Sequence, residues 1–167
     1  MCNKKRKGYI QVYTGNGKGK TTAALGLALR AVGAGMKVFI AQFVKGCDYS
    51  ELESIKKLSE HITIKQYGRE KFIYNVENED IARARKGLKE VEEIIRNGKY
   101  DIVILDEANI AVNLKLFSPQ ELIDIISSKP ESMEIVITGR YADPLIIEKA
   151  DLVTEMVEIK HYYKKWC

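Results

Sequence analysis

The stretch VYTGNGKGKTTAA, residues 12–24, sets three glycines and two lysines between an apolar run and an alanine-rich one. Two ammonium groups held this close repel each other unless an anion lies between them. Upstream, YIQVYT (9–14) is rich in β-formers and stops at Gly15. Downstream, TTAALGLALRAV (21–32) is rich in helix formers, and GAG at 33–35 ends it. A loop of backbone N–H groups feeding a helix N-terminus is an anion site, because those donors have no intrahelical partner and the helix dipole adds positive potential. Gly15, Gly17 and Gly19 let the backbone fold close around phosphate oxygens. Lys20 can reach the phosphates, and the Thr21 hydroxyl can bind Mg²⁺. Lys18 adds a second charge, which favours a polyphosphate over a monophosphate. The strict G-x-x-x-x-G-K-[ST] pattern asks for glycine at position 14, where this chain has Thr14. The strand before and the helix after supply the context that the motif needs.

A second constellation supports a nucleotide site. IVILDEAN (102–109) ends an apolar run in two carboxylates, Asp106 and Glu107. Two acids at a strand end cost desolvation unless a cation or a partner offsets them. A Mg²⁺ held between Thr21 and one carboxylate would do so. Glu107 is expected to face the metal or the reacting atom, and Asp106 to order the Thr21 hydroxyl or a metal-bound water. The arginines available to neutralise a phosphate are Arg69, Arg83, Arg85 and Arg140. Arg83 and Arg85 lie on an amphipathic helix and read as a solvated face. Arg140, in ITGR at a strand end, is the better phosphate partner, with a structural salt bridge as the competing reading. Spacing alone leaves the reaction open among ATPase, kinase and other transferase chemistry.

The rest of the chain alternates strand-like and helix-like stretches. Strands are expected at 37–44, 61–67, 100–108, 133–140 and 151–159. Helices are expected at 50–58, 79–98, 118–127 and 145–149. In the third of these, Ser118, Pro119 and Glu121 spell an N-cap, a first-turn proline and a capping box. The pattern predicts an α/β fold of the RecA-like P-loop type: a mostly parallel six-stranded sheet with helices on both faces and the ligand at the carboxyl ends of the strands. One domain over 1–167 is expected, with 1–7 a basic tail.

Composition is that of an ordinary globular chain, 46% apolar and 30% charged. The net charge of +4 allows an anionic ligand without demanding nucleic acid. No apolar run suits a membrane span, and the basic N-terminus lacks a signal-peptide core, so the cytoplasm is the default compartment. Cys2, Cys47 and Cys167 are far apart and form neither a disulfide framework nor a zinc site.

Several segments together resemble a known family: GNGKGKTTAALGLALRAVGAG, QFVKG, LDEAN, VITGRYADPLIIEKADLVTEM and IKHYYK. They are similar to the P-loop class of corrinoid adenosyltransferase, from about Gly8 to about Lys164. The resemblance implies that Co(I) of a reduced corrinoid, either cobalamin or cobyrinic acid a,c-diamide, attacks the 5′ carbon of ATP and that triphosphate leaves whole. It implies a reversed ATP lying along Gly15, Asn16, Gly17, Lys18, Gly19, Lys20, Thr21 and Thr22, with Arg140 at the edge. Lys20, Thr21 and Glu107 would carry catalysis, with Thr21 and Glu107 holding Mg²⁺, or Mn²⁺ in its place. It further implies a reduced flavoprotein as electron donor and a homodimer. On the corrinoid side, QYGREKFIYN (66–75) offers Tyr67, Phe72 and Tyr74. They would either stack on the macrocycle or pack beneath the loop. His161, in KH, matches the family motif, where it orients a phosphate or makes a structural hydrogen bond. In many relatives an N-terminal arm and a C-terminal tail close the site; here the arm is short and the chain reads KHYYKKWC at its end. Two other readings stand beside this one: a RecA-type ATPase acting as a regulatory or nucleic-acid-associated module, and a nonenzymatic carrier of corrinoid or nucleotide. Against the first, the chain has no long basic or aromatic stretch for single strands.

Overall fold

The computed structural model describes residues 6–47, 50–70 and 73–162. Six strands form one sheet: β1 (Ile10–Thr14), β2 (Val38–Gln42), β3 (Ile62–Gln66), β4 (Ile102–Asp106), β5 (Glu134–Thr138) and β6 (Leu152–Glu155). Their order is β3-β2-β4-β5-β1-β6, and each pairing is parallel. The expected alternation of strand and helix produces this directly, since a parallel neighbour requires a crossover.

Six helices complete the described fold: α1 (Lys20–Gly33), α2 (Ser50–Lys56), α3 (Asn78–Asn97), α4 (Ala108–Asn113), α5 (Pro119–Ser127) and α6 (Pro144–Lys149). They cover both faces of the sheet, and the two-residue period of the strands divides the core accordingly. Phe39, Ala41, Val103, Leu105, Ile135 and Ile137 pack with α3, α4, α5 and α6. Val38, Ile40, Ile102, Ile104 and Val136 pack with α1 and α2. α1 buries Lys20, Ala24, Ala28 and Ala31, whose small side chains let it lie close to the sheet. The predicted capping box at Ser118 forms, with the Ser118 hydroxyl accepting from the Glu121 amide at 3.2 Å.

Strand ends were expected too long at the carboxyl side of the sheet. β2 stops at Gln42, β4 at Asp106 and β6 at Glu155. There the chain turns off the sheet to build the site, and Val44 and Glu107 adopt positive φ of 53° and 59°. The short α4 was not anticipated: it begins at Ala108, directly after the Glu107 turn, where the strand was expected to continue. Arg6, assigned to the basic tail, is instead anchored, its guanidinium 2.8 Å from Asp101 Oδ1. Cys2 and Cys167 lie outside the described residues.

Candidate active site

The carboxyl ends of β1, β2, β4 and β5 converge on one cavity of about 550 Å³. The loop between β1 and α1 forms its floor with Gly17, Lys18, Gly19, Lys20, Thr21 and Thr22. The loop is tightly held. Gly15 has φ 90°, and a Cβ there would lie 2.5 Å from the Met156 carbonyl oxygen. A Cβ on Gly17 would lie 2.6 Å from the same atom, and the Gly17 amide donates to it at 2.6 Å. Two of the three glycines are therefore demanded by the chain that leaves β6, in addition to any phosphate. The buried Lys20 ammonium donates to the carbonyls of Gly15 and Gly17, both at 2.7 Å. Burial lowers its pKa, Arg140 lowers it further, and Glu107 opposes them.

The acidic strand end divides its two carboxylates between different tasks. Asp106 is 1% exposed. Its Oδ1 accepts from Thr21 Oγ1 at 2.8 Å and from Thr138 Oγ1 at 2.7 Å. Its Oδ2 accepts from Lys45 Nζ at 2.8 Å and from Gln42 Nε2 at 3.2 Å. The parallel register that sets Gln42 opposite Asp106 explains the last bond. Asp106 thus holds the Thr21 hydroxyl. Glu107 lies beside it on the cavity wall, where its left-handed backbone turns the chain into α4. Its amide donates to Thr138 Oγ1 at 3.0 Å. Burial raises the Glu107 pKa, the Asp106 charge raises it further, and Lys45, Lys20 and Arg140 pull it back. Thr138 thereby ties β5 to both acids, a role that sequence spacing does not signal.

The remaining wall is formed by Val44, Lys45, Ile73, Ile110, Leu114, Arg140 and His161. Ile110 and Leu114 face the cavity together because they are four residues apart at α4. Arg140 also borders a second cavity of about 390 Å³ that includes Asn16, Tyr141, Glu155, Val157 and Glu158. His161 stacks on Tyr162, with ring centroids 4.7 Å apart, and the Lys18 ammonium donates to the Tyr162 hydroxyl at 3.3 Å. The loop thus gathers Lys18, Lys20, Thr21, Thr22 and Glu107 around one cavity, while Gly15 supports it from behind and Asn16 faces the second cavity.

Other expected residues lie elsewhere. Tyr67 is buried at 7% exposure. One side of its ring meets Gly87 of α3 and another meets Phe43, at a centroid distance of 5.7 Å. Its hydroxyl donates to Glu90 at 2.9 Å, and burial together with Glu90 raises its pKa. Tyr67 therefore packs beneath the loop and offers no face to a macrocycle. Tyr74 is 91% exposed, and Phe72 lies outside the described residues. Arg69 is bound to Asp80 through two bonds, at 2.6 and 2.7 Å, and to Glu77 at 2.7 Å. Arg83 pairs with Glu79 and Arg85 with Glu121, so Arg140 is the only one of the four arginines on the cavity wall. Lys45, in the QFVKG run that follows β2, joins the site through Asp106, a partner that local spacing does not reveal.

One topological fact classifies the molecule. β5 stands between β1, which carries the phosphate loop, and β4, which carries Asp106. With the loop opening α1, this arrangement defines a P-loop nucleotide-binding protein of the RecA-like type. A crystal structure of flagellar accessory protein FlaH from Methanocaldococcus jannaschii has the same fold: TM-score 0.64 at 14% identity, over 90% of this chain and 71% of that one. Within the class, sequence is decisive. A family model described as ATP:corrinoid adenosyltransferase BtuR/CobO/CobP matches residues 6–166. The chain is 35% identical to a corrinoid adenosyltransferase of Pseudomonas aeruginosa over 161 residues, 95% of this chain and 79% of that protein. It is 35% identical to that of Escherichia coli K12, over 94% of this chain and 80% of that protein. The chain belongs to the ATP:corrinoid adenosyltransferase family.

Proposed function

We propose that the chain transfers the 5′-deoxyadenosyl group of ATP to the Co(I) centre of a corrinoid and releases triphosphate. The observation that carries this reading is the composition of the cavity of about 550 Å³. Phosphate-binding groups line one part of it and Val44, Ile73, Ile110 and Leu114 another. Hydrolysis needs water admitted to the phosphate end. Alkylation of a reduced metal needs the opposite: an apolar chamber beside the sugar carbon that excludes water and protects the nucleophile.

The step balances without a protein nucleophile. The Co(I) electron pair forms the Co–C bond, the bond between the 5′ carbon and oxygen breaks, and its electron pair departs with the triphosphate. Negative charge therefore grows on the leaving group. The loop amides, Lys18, Lys20 and Arg140 are the groups that receive it. Lys20 exchanges its two loop carbonyls for phosphate oxygens, so the loop is preorganised around the charge it will meet. The Asn16, Gly17, Gly19, Thr21 and Thr22 contacts expected for ATP belong to the same reading.

Thr21 Oγ1 and the Glu107 carboxylate are hard oxygen donors that suit Mg²⁺ or Mn²⁺, with the rest of the coordination left to phosphates and water. Such an ion supplies charge neutralisation to the triphosphate. Asp106 orients Thr21 for that duty. A reduced flavoprotein donor, a homodimeric state and a cytoplasmic setting are part of the proposal. No helix among the described residues is long and apolar enough to cross a membrane.

The test is anaerobic incubation with ATP, Mg²⁺ and chemically reduced cobalamin, with cobyrinic acid a,c-diamide in parallel. The alkylcorrinoid absorption spectrum should develop with one triphosphate per product. ADP and phosphate in place of triphosphate would overturn the reading in favour of an ATPase.

A further inference from the structure

Lys45 is held where it is by backbone strain and close packing. Val44, directly before it, has φ 53°, a region that a β-branched residue enters only under constraint. The loop after β3 clamps the pair. The Gly68 amide donates to the Lys45 carbonyl at 3.0 Å. A Cβ on Gly68 would lie 2.3 Å from the Lys45 amide nitrogen, and one on Gly46 would lie 2.5 Å from the Arg69 carbonyl. The two loops therefore meet backbone to backbone. The result is an ammonium 2.8 Å from Asp106 Oδ2 and 3.3 Å from Thr21 Oγ1. Asp106 already takes three other hydrogen bonds, from Thr21, Thr138 and Gln42. What those neutral donors do not supply is a positive charge, and a carboxylate this deeply buried requires one.

We propose that Lys45 is a built-in counter-ion that holds the divalent cation's position beside Thr21 and Asp106 and must be displaced when the cation binds. The proposal rests on the reading of Thr21 as a cation ligand. An ammonium and a divalent cation cannot share the Thr21 oxygen, because two cations at such separation repel strongly in a partly buried site. Lys45 lines the cavity itself, so its displaced ammonium moves towards the place of the triphosphate. Cation entry and delivery of a further positive charge to the leaving group then become one event.

The experiment uses nucleotide-free full-length protein and Mn²⁺ alone, followed by thermal unfolding and water-proton relaxation. Removing the competitor in Lys45→Met should lower the half-saturating Mn²⁺ concentration at least about five-fold, since the site is no longer occupied. The exposed Lys57→Met should leave it unchanged. A second measurement needs no variant and stands if Lys45→Met fails to fold. Acetylation of Lys45 in the wild-type protein, read by mass spectrometry, should speed up several-fold at saturating Mn²⁺. Equal Mn²⁺ demand in wild type and Lys45→Met, or unchanged Lys45 acetylation at saturation, would refute the displacement while leaving the cation site standing. Mn²⁺ binding by none of the proteins, with or without added tripolyphosphate, would remove the cation site and this proposal together.

Discussion

Lys20 and Glu107 take different parts in the proposed reaction. Lys20 is buried and held by two loop carbonyls, so its charge is in place before any phosphate arrives. Lys20→Ala should lower the rate of alkylcobalamin formation by ~100- to 1,000-fold, the cost of one preorganised donor to a developing anion. Glu107 makes a different prediction. Its folded-state pKa is raised, so the folded chain binds a proton more tightly than the unfolded one. Stability must then fall as pH rises through the window above the ordinary glutamate range. Glu107→Gln should melt higher than wild type at pH 7, the gap should close on acidification to about pH 4, and activity should be lost. Differential scanning calorimetry of the ligand-free proteins across pH reads the first two. A lower melting temperature for Glu107→Gln at pH 7 would contradict the assignment of burial as the cause.

α3 shows where a helix answers to its neighbours more than to its own propensities. It contains Gly87, which costs about 1 kcal/mol in a helix interior relative to alanine. The reason is Tyr67, whose ring carbon Cγ would stand 2.4 Å from a Cβ at that position. Tyr67 cannot retreat, because Phe43 backs its ring and Glu90 holds its hydroxyl. Gly87→Ala should therefore lose ~1–3 kcal/mol to overpacking, more than the helix gains, as measured by urea unfolding. Combining it with Tyr67→Leu should recover part of the loss. The amphipathic helix that becomes α3 and the capping box of α5 were both legible in the chain, because each depends on residues within a turn or two. The burial of Tyr67 was not. An aromatic after a strand reads the same whether it faces a ligand or a helix, and the deciding partner lies twenty residues further along.

The molecule as a whole makes its prediction through product partition. The basic loop of Lys18 and Lys20 and an apolar wall meet in one cavity because segments that follow all six strands, at the same edge of the sheet, converge there. If that wall keeps water from the reacting carbon, ATP supplied without corrinoid should stay intact on the enzyme. Triphosphate should appear only in step with the alkylcorrinoid, as monitored by phosphorus NMR. Steady ADP release would show that the chamber admits water to the phosphate end. The order β3-β2-β4-β5-β1-β6 sets these relations. What could be known from the chain alone was the phosphate loop, the number and alternation of strands and helices, and the pair of acids at a strand end. Each is written in local spacing, where a few neighbouring residues fix backbone geometry and donor type. Which atom meets which waited for the fold. Thr21 and Asp106 are 85 residues apart, Lys45 and Asp106 are 61 apart, and Thr138 joins them from β5. Those contacts follow from strand order and parallel register across the sheet, which short-range pattern does not encode.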